Sequence, residues 1–367
     1  MKNKNKAKNA KIIDGLLPSL ISIVVGLLLG GLLLLISRPQ NAGIGFITLL
    51  RGPFTNTPLK DFGNMLYYAA PILLTGLSVG FAFKTGLFNI GASGQFFSGA
   101  FAAIAVGIKA DFIPVEYRWI VSLIAAFFVG AVVAGFGGVL KAYFNVNEVI
   151  TSIMFNYISM YVVLYLIKAW GLFNQLKNES ITVPTRVPKM WLDKIFTGSF
   201  VGGSIIVAII AALIIYIVID KTTFGYELKA VGHNRFAAKY AGINEKKSII
   251  LSMFIAGGLA GLSGAVTYLV GSGKHIAMTY EIPQEGFDGI AVALLANNHP
   301  IGIVFTALFI GYLRISSQTL QTLGYVPEMI NMVVSIILYT SALSVLFVNL
   351  RNKFKKRIVN EEEEDVA

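Results

Sequence analysis

Apolar residues run along this chain in blocks too long for a water-soluble core, separated by short polar stretches. A helix needs about 20 apolar residues to cross ~30 Å of hydrocarbon. On that basis the pattern predicts spans at Leu16–Ile36, Met65–Phe83, Leu87–Ile108, Trp119–Leu140, Val149–Ile167, Phe200–Ile219, Ser248–Val270, Gly286–Ala296, Ile301–Leu313 and Val326–Val348. The eighth and ninth are short and meet at Asn297-Asn298-His299-Pro300, which reads as two broken or incompletely crossing helices. Such breaks persist in a bilayer only where protein or a water-filled cavity covers the freed backbone groups. The expected fold is therefore all-α, a polytopic membrane bundle of about ten segments. A count of eight crossings stays open if the short pair is re-entrant.

Composition narrows the picture further. Hydrophobic residues make up 55% of the 367 and charged residues 13%, against about 25% charged in a typical soluble protein. Ten spans leave short loops and two tails, with no room for a separate soluble catalytic domain. The absence of cysteine excludes disulfides, thiolate metal sites and a cysteine nucleophile. His233, His275 and His299 are far apart and lack metal-ligand spacing, so no metal site and no catalytic residue is expected. The net charge of +11 sits beside the spans, where it acts as a topology signal and meets anionic lipid rather than nucleic acid.

Charge also orients the chain. With ten crossings and a cytoplasmic start, 18 of the 30 lysines and arginines fall on the inside, the direction of the positive-inside rule. Both termini are then cytoplasmic, in a multi-pass protein of the cell membrane. Five lysines precede Leu16–Ile36, which is longer than a signal-peptide core and lacks a cleavage site, so it reads as an uncleaved anchor. The domain plan is a basic start (1–15), one transmembrane domain (16–350) with a cytoplasmic loop at 220–247, and a basic-then-acidic tail (351–367) ending in the solvated run Glu361–Asp365.

Two polar stretches carry the functional information. Gly86–Gln95 puts Asn89 and Gln95 in or beside a hydrocarbon span among glycines at 86, 91, 94 and 99. Glycines admit a close neighbouring helix, and buried amides either hold that helix or face a solute path; the residues fit both readings. In the 220–247 loop, Asn234 caps a short helix Arg235–Ala241 that Gly242 terminates. Phe236 and Tyr240 share one face, as do Ala237 and Ala241. Such a helix suits a groove on a partner protein, or rests in the headgroups.

These stretches also carry a resemblance. Gly86–Gln95 resembles a pattern of permease subunits of ABC importers for branched-chain amino acids, sugars and nucleosides, which often have Glu where this chain has Ser93. Gly225–Asn234, continuing through Ala237-Ala238 to Gly242-Ile243, resembles the coupling loop with which those permeases dock on their ATPase. Gly286–Leu295, followed by Pro300 and Gly302, is most similar to the nucleoside branch, and the long first outer loop 38–64 fits it too. Ala92-Ser93-Gly94-Gln95 is only superficially similar to the signature loop of ATP-binding cassettes. Gly271-Ser272-Gly273-Lys274 lacks the first glycine of Walker A, so ATP is not bound by that route.

The resemblance implies an inverted repeat, spans two to five mirroring seven to ten. It implies no cofactor on this chain, ATP being used by a partner. The implied partners are cytoplasmic ABC ATPase subunits, a second and paralogous permease, an extracellular substrate-binding (lipo)protein, a small-molecule solute and the lipid bilayer. The implied ATPase-coupling residues are Gly232, Asn234, Arg235, Phe236, Ala237, Ala238, Tyr240 and Gly242. Candidates for the substrate path are Phe83, Phe88, Asn89, Gln95, Phe155, Asn156 and Tyr157, aromatics to stack on a base and amides to meet its edge or the ribose. Ordinary helix packing is the competing account of each. The expected function is uptake of nucleosides, with a sugar or branched-chain amino acid as the alternative cargo. An ion-coupled carrier usually keeps ionisable groups at mid-membrane, whereas Glu148, Asp288 and Glu328 fall at span ends. An intramembrane enzyme needs a catalytic pair or metal site, and the chain offers neither.

Overall fold

The structure is a computed structural model that describes residue 21 and residues 24–54, 57–271 and 274–342. The lysine-rich start, residues 16–20, 22 and 23 of the first expected span, residues 343–348 of the last one, and the tail lie outside the described residues. Helices dominate: α1 (Val24–Ser37), α2 (Ala42–Arg51), α3 (Pro58–Lys84), α4 (Ala92–Lys109), α5 (Val115–Phe144), α6 (Glu148–Ala169), α7 (Leu192–Ile195), α8 (Ser204–Lys221), α9 (Thr223–His233), α10 (Arg235–Tyr240), α11 (Glu245–Tyr268), α12 (Glu285–Leu295), α13 (Pro300–Thr322) and α14 (Pro327–Ala342). The two-residue strands β1 (Phe173–Asn174) and β2 (Glu179–Ser180) form a small hairpin.

Six of these helices, α3, α5, α6, α8, α11 and α13, are long and apolar enough to cross a membrane, and α1 and α14 supply shorter apolar stretches. The protein is a multi-pass, all-α membrane bundle. Several expected segments differ from their drawn bounds; α3 begins at Pro58 rather than Met65 and α8 at Ser204 rather than Phe200. Helix α4 begins at Ala92 rather than Leu87, because Gly86 turns at a positive φ of 72° and the chain stays irregular to Gly91. Helix α13 is not short: it runs 23 residues beyond the break at Asn297 and Asn298, both left-handed. Of the expected short pair, α12, 11 residues long, is the half-length element. Helices α2 and α9 stand where connecting loops were expected.

The described chain divides into two compact units. In the first, built from residues up to Gly52 and from Leu313 onward, Tyr325 donates to the carbonyls of Leu34 and Arg38 (3.4 Å each). Asn41 donates to the Leu323 carbonyl (3.0 Å). These bonds hold the α1–α2 corner against the turn between α13 and α14.

The second unit, Pro53–Tyr312, is organised around α3 and α11, both mostly buried, while α8 keeps most of its surface exposed. Helix α11 carries Gly257, Gly258, Ala260, Gly261, Ser263 and Gly264 through its middle. A Cβ at Gly261 would strike the Ala126 carbonyl of α5, and one at Gly264 the Phe96 carbonyl of α4. Small residues thus let three backbones touch, the means by which membrane helices associate without a hydrophobic drive between them. Helix α3 packs on α12, α11 packs on α4, and α3 and α11 pack on each other. Pro71 lies inside α3, and its carbonyl accepts the hydroxyls of Thr75 (3.2 Å) and of Ser263 on α11 (2.7 Å). Against α4 and α6, a cluster of Phe96, Phe101, Ile104, Met160, Val163 and Ile167 is closed by Ile276 and Met278. The 276–278 segment is held by main-chain bonds to the hairpin, from Ser180 N to the Ile276 carbonyl (2.9 Å) and from Met278 N to the Asn178 carbonyl (3.0 Å).

Candidate functional site

Three features of the second unit follow one another along its height. The first is a cavity of about 510 Å³ lined by Phe97, Tyr157, Tyr268 and residues 277 and 279–285. The 276–278 pairing to the hairpin fixes one wall, and the start of α12 forms the floor. Tyr268 ends α11, which has 24 residues, and so lies about 35 Å along the helix from Glu245 at 1.5 Å per residue. Three tyrosine rings border the space; Tyr280 stacks at a tilt on Tyr161 of α6 (5.6 Å between centroids). Glu281 and Glu285 bring two carboxylates. Lys274 pairs with Glu285 at 2.7 Å, and Thr75 donates to the Glu285 carbonyl (3.0 Å).

Beneath this floor lies an amide cluster. Gly286 of α12 sits so close to Ser93 of α4 that a Cβ would overlap it. The Ser93 hydroxyl is buried with no hydrogen-bond partner among the described residues. Asn89 and Gln95, both buried, exchange two side-chain bonds of 2.8 Å, and Asn89 also donates to Ser78 of α3 (3.1 Å). Asn156 of α6 accepts from Gly94 N (2.8 Å) and donates to the Ile90 carbonyl (3.1 Å). The irregular 85–91 segment is thereby tied to α3, α4 and α6. Each bond matters because a buried amide left unpaired costs about 1–3 kcal/mol.

The sequence candidates for a path thus fall in different places. Asn89, Gln95 and Asn156 meet in the cluster. Phe83 and Phe88 pack against each other at a tilt (5.0 Å between centroids, 36°). Phe155 stacks on Phe136 of α5 (6.5 Å, 14°). Tyr157 alone lines the cavity. Sequence reasoning missed Tyr268, Tyr280, Glu281 and Glu285. A signal existed for Glu285: a carboxylate immediately before the apolar run at 286, preceded by a lysine eleven residues back.

The third feature is the α9–α10 corner. Asn234 caps α10, accepting from Ala237 N (3.0 Å), and Gly242 ends it at φ 84° while donating to the Lys239 carbonyl (3.1 Å). Arg235 holds Glu245 at the start of α11 (2.6 Å) and reaches Asn145 after α5 (3.4 Å). Ala238 is buried with Val231, Leu87, Ala82, Ala142 and Met253, a cluster joining both short helices to α3, α5 and α11. Tyr226, Phe236 and Tyr240 instead stand 71%, 75% and 95% exposed, and Ala237 is exposed beside them. Gly232 rests on the backbone of Lys84–Gly86, where a Cβ would strike the Lys84 carbonyl. The corner therefore touches the lower end of the segment that carries Asn89, and contacts run without interruption from α10 to the cavity floor.

Comparison with known proteins gives these features a context. The family described as branched-chain amino acid transport system / permease component matches residues 62–342. Guanosine ABC transporter permease protein NupP of Bacillus subtilis is 38% identical over 95% of this chain and 99% of its own length. Nucleoside ABC transporter permease protein NupB of Lactococcus lactis is 34% identical over 89% of this chain and 90% of its own. A second B. subtilis protein, guanosine ABC transporter permease protein NupQ, is 28% identical over 71% of this chain and 81% of its own. No solved structure matches.

Proposed function

The chain belongs to the permease-component family of branched-chain amino acid transport systems, and from that premise we propose that it is the membrane subunit of an ATP-driven nucleoside importer. The observation that carries this reading is the likeness to NupP and NupB along nearly the whole length of all three chains. It forms the translocation path and hydrolyses nothing itself; cytoplasmic ATPases supply the drive, and an extracellular binding protein supplies the solute. The presence of NupP and NupQ, both named guanosine ABC transporter permease proteins, in one organism supports a paralogous second permease.

The reciprocal packing of α3 on α12 and α11 on α4 supports an inverted repeat, each half lending its first helix to the other's second. With α9 and α10 on the cytoplasmic face, as the positive-inside count favours, both termini are cytoplasmic and ten segments enter the membrane, α12 only halfway. The cavity then opens outward, and the Asn89–Gln95–Asn156 cluster with Phe83 and Phe88 closes the path on the inner side. Gly232, Asn234, Arg235, Phe236, Ala237, Ala238, Tyr240 and Gly242 form the coupling corner. The exposed Phe236 and Tyr240 enter a groove on the ATPase, and Gly232 passes its motion to the 85–91 segment. Alternation between faces is a population shift driven by the ATPases' preference for one state.

The test is uptake of radiolabelled uridine and guanosine in cells with and without the gene, repeated after ATP depletion, with ribose or leucine as competitor. Gene-dependent, ATP-dependent uptake that ribose and leucine do not block is expected. Nucleoside uptake unchanged by deletion, in a strain lacking other nucleoside carriers, overturns the nucleoside reading; block by ribose or leucine identifies the other cargo.

A further inference from the structure

The lining of the 510 Å³ cavity is chemically lopsided. Its volume falls in the range of about 300–1,000 Å³ usual for small-molecule sites. Tyr157, Tyr268, Tyr280 and Phe97 give it aromatic walls, while Glu281, Glu285 and Gln284 give it acceptors at one level. Among the described residues no lysine or arginine lines it, and Lys274 is held by Glu285 at 2.7 Å. Among the described residues Glu281 has no ion pair, and it is exposed to the cavity.

We propose that this cavity is a selectivity site for the uncharged ribonucleoside, Glu281 taking the sugar hydroxyls and Tyr157 and Tyr280 the base. The assignment rests on the nucleoside reading above and adds to it which part of the solute this chain inspects. An ionised carboxylate only accepts hydrogen bonds, so its ligand must bring donors. A ribose cis-diol does so, and carboxylates elsewhere recognise that sugar by its 2′-hydroxyl. Aromatic faces stack on any base with little preference for its identity, so the rings tolerate purines and pyrimidines alike. A 5′-phosphate carries a charge of about −1.5 to −2 at neutral pH and meets the Glu281 carboxylate, while Lys274 is already held by Glu285. The cavity therefore admits the nucleoside and turns away the nucleotide.

The complete transporter, with its own binding protein and ATPases, is assayed in cells for uptake of uridine and of 2′,3′-dideoxyuridine at saturating concentration, with uridine 5′-monophosphate as competitor. The readout is the ratio of the two rates in each variant relative to the same ratio in wild type. The binding protein and the expression level are common to both rates, so they cancel. Glu281→Gln is expected to shrink the preference for uridine by about tenfold, the scale of a lost charge-assisted hydrogen bond. Glu281→Lys is expected to make the monophosphate an inhibitor. Tyr157→Leu is expected to lower the uptake of both solutes together. An unchanged ratio in Glu281→Gln, with wild-type uptake intact, overturns the site assignment and leaves the nucleoside function standing. Absence of uptake in wild type instead overturns the function on which the site rests.

Discussion

The amide cluster under the cavity and the α9–α10 corner lie at the two ends of one short segment, 85–91, and are built by opposite means. The cluster hides its polar groups: Asn89 and Gln95 are buried and spend their amides on each other and on Ser78. At the corner, α10 buries Ala238 and shows its rings, Phe236 and Tyr240 standing in the open. A buried, satisfied network resists change because breaking it strands a polar group. A helix docked by small apolar contacts keeps its orientation yet leaves an apolar face for something else to cover. Substitutions in the first region should therefore be read out as stability and in the second as coupling, and the predictions below test that division.

The largest effect is expected at the corner. Ala238→Glu puts a carboxylate among Val231, Leu87 and Met253, and a buried unpaired charge is tolerated only by displacing the element that carries it. Gly242→Pro demands φ near −65° where the chain adopts 84°, and removes the N–H given to Lys239. Both variants are expected to abolish uptake while the protein still reaches the membrane in normal amount. Full uptake in either, measured beside membrane-fraction abundance, removes the corner from the coupling path. Gly232→Val probes the same contact from the other side: its Cβ meets the Lys84 carbonyl. Here ATP turnover should persist while uptake falls by an order of magnitude.

The cluster should respond differently. Asn89→Leu leaves the Gln95 amide buried without its partner, at a cost of about 1–3 kcal/mol. The expected result is a lower melting temperature of the purified protein. Adding Gln95→Leu removes the stranded group, so the double variant should regain part of the loss. If Asn89→Leu melts like wild type but transports nothing, the amides act on the solute and the contrast between the two regions fails.

Much of this was legible beforehand, for reasons that can be named. The α10 cap and stop are local signals, an Asn followed by a helix-forming run and a Gly, and α10 spans Arg235–Tyr240 between them. The long spans are read from uninterrupted apolar length. The two readings left open for Asn89 and Gln95 could not be separated from sequence, because partners six residues apart meet only when the chain between them is irregular. Helix α9 mixes Gly, Tyr, Glu, Lys and His and has no strong apolar period to announce it. The cavity was the least visible part. Residues 274–284 have no periodicity, and their position is set by bonds from Ile276 and Met278 to a hairpin about a hundred residues earlier. Glu281 and Tyr280 thus acquire a wall to stand on only in three dimensions. Glu285 fell one residue before the drawn edge of a span, where a charge reads as an end marker.

The smallest predicted effect is also the finest probe of the comparison. Asn234 ends α9 and starts α10, and its side chain accepts one bond, from Ala237 N. Loss of such a cap costs a helix about 1 kcal/mol. Helix α10 has only six residues, so it has little internal cooperativity with which to absorb that loss. Its docking through Ala238 remains, and so does the Arg235–Glu245 pair. Asn234→Ala should therefore fray the first turn without releasing the helix. Uptake is expected to fall by a factor of about two to five, with an unchanged melting temperature, because the corner contributes to transmission and the cluster to stability. Asn234→Asp and Asn234→Ser, which keep an acceptor oxygen, should restore uptake. A melting temperature that drops along with uptake in Asn234→Ala would mean that the corner and the cluster form one cooperative unit, joined through Gly232 and the 85–91 segment. Motion at α10 would then reach the cavity floor by loosening the amides rather than by moving them as a body.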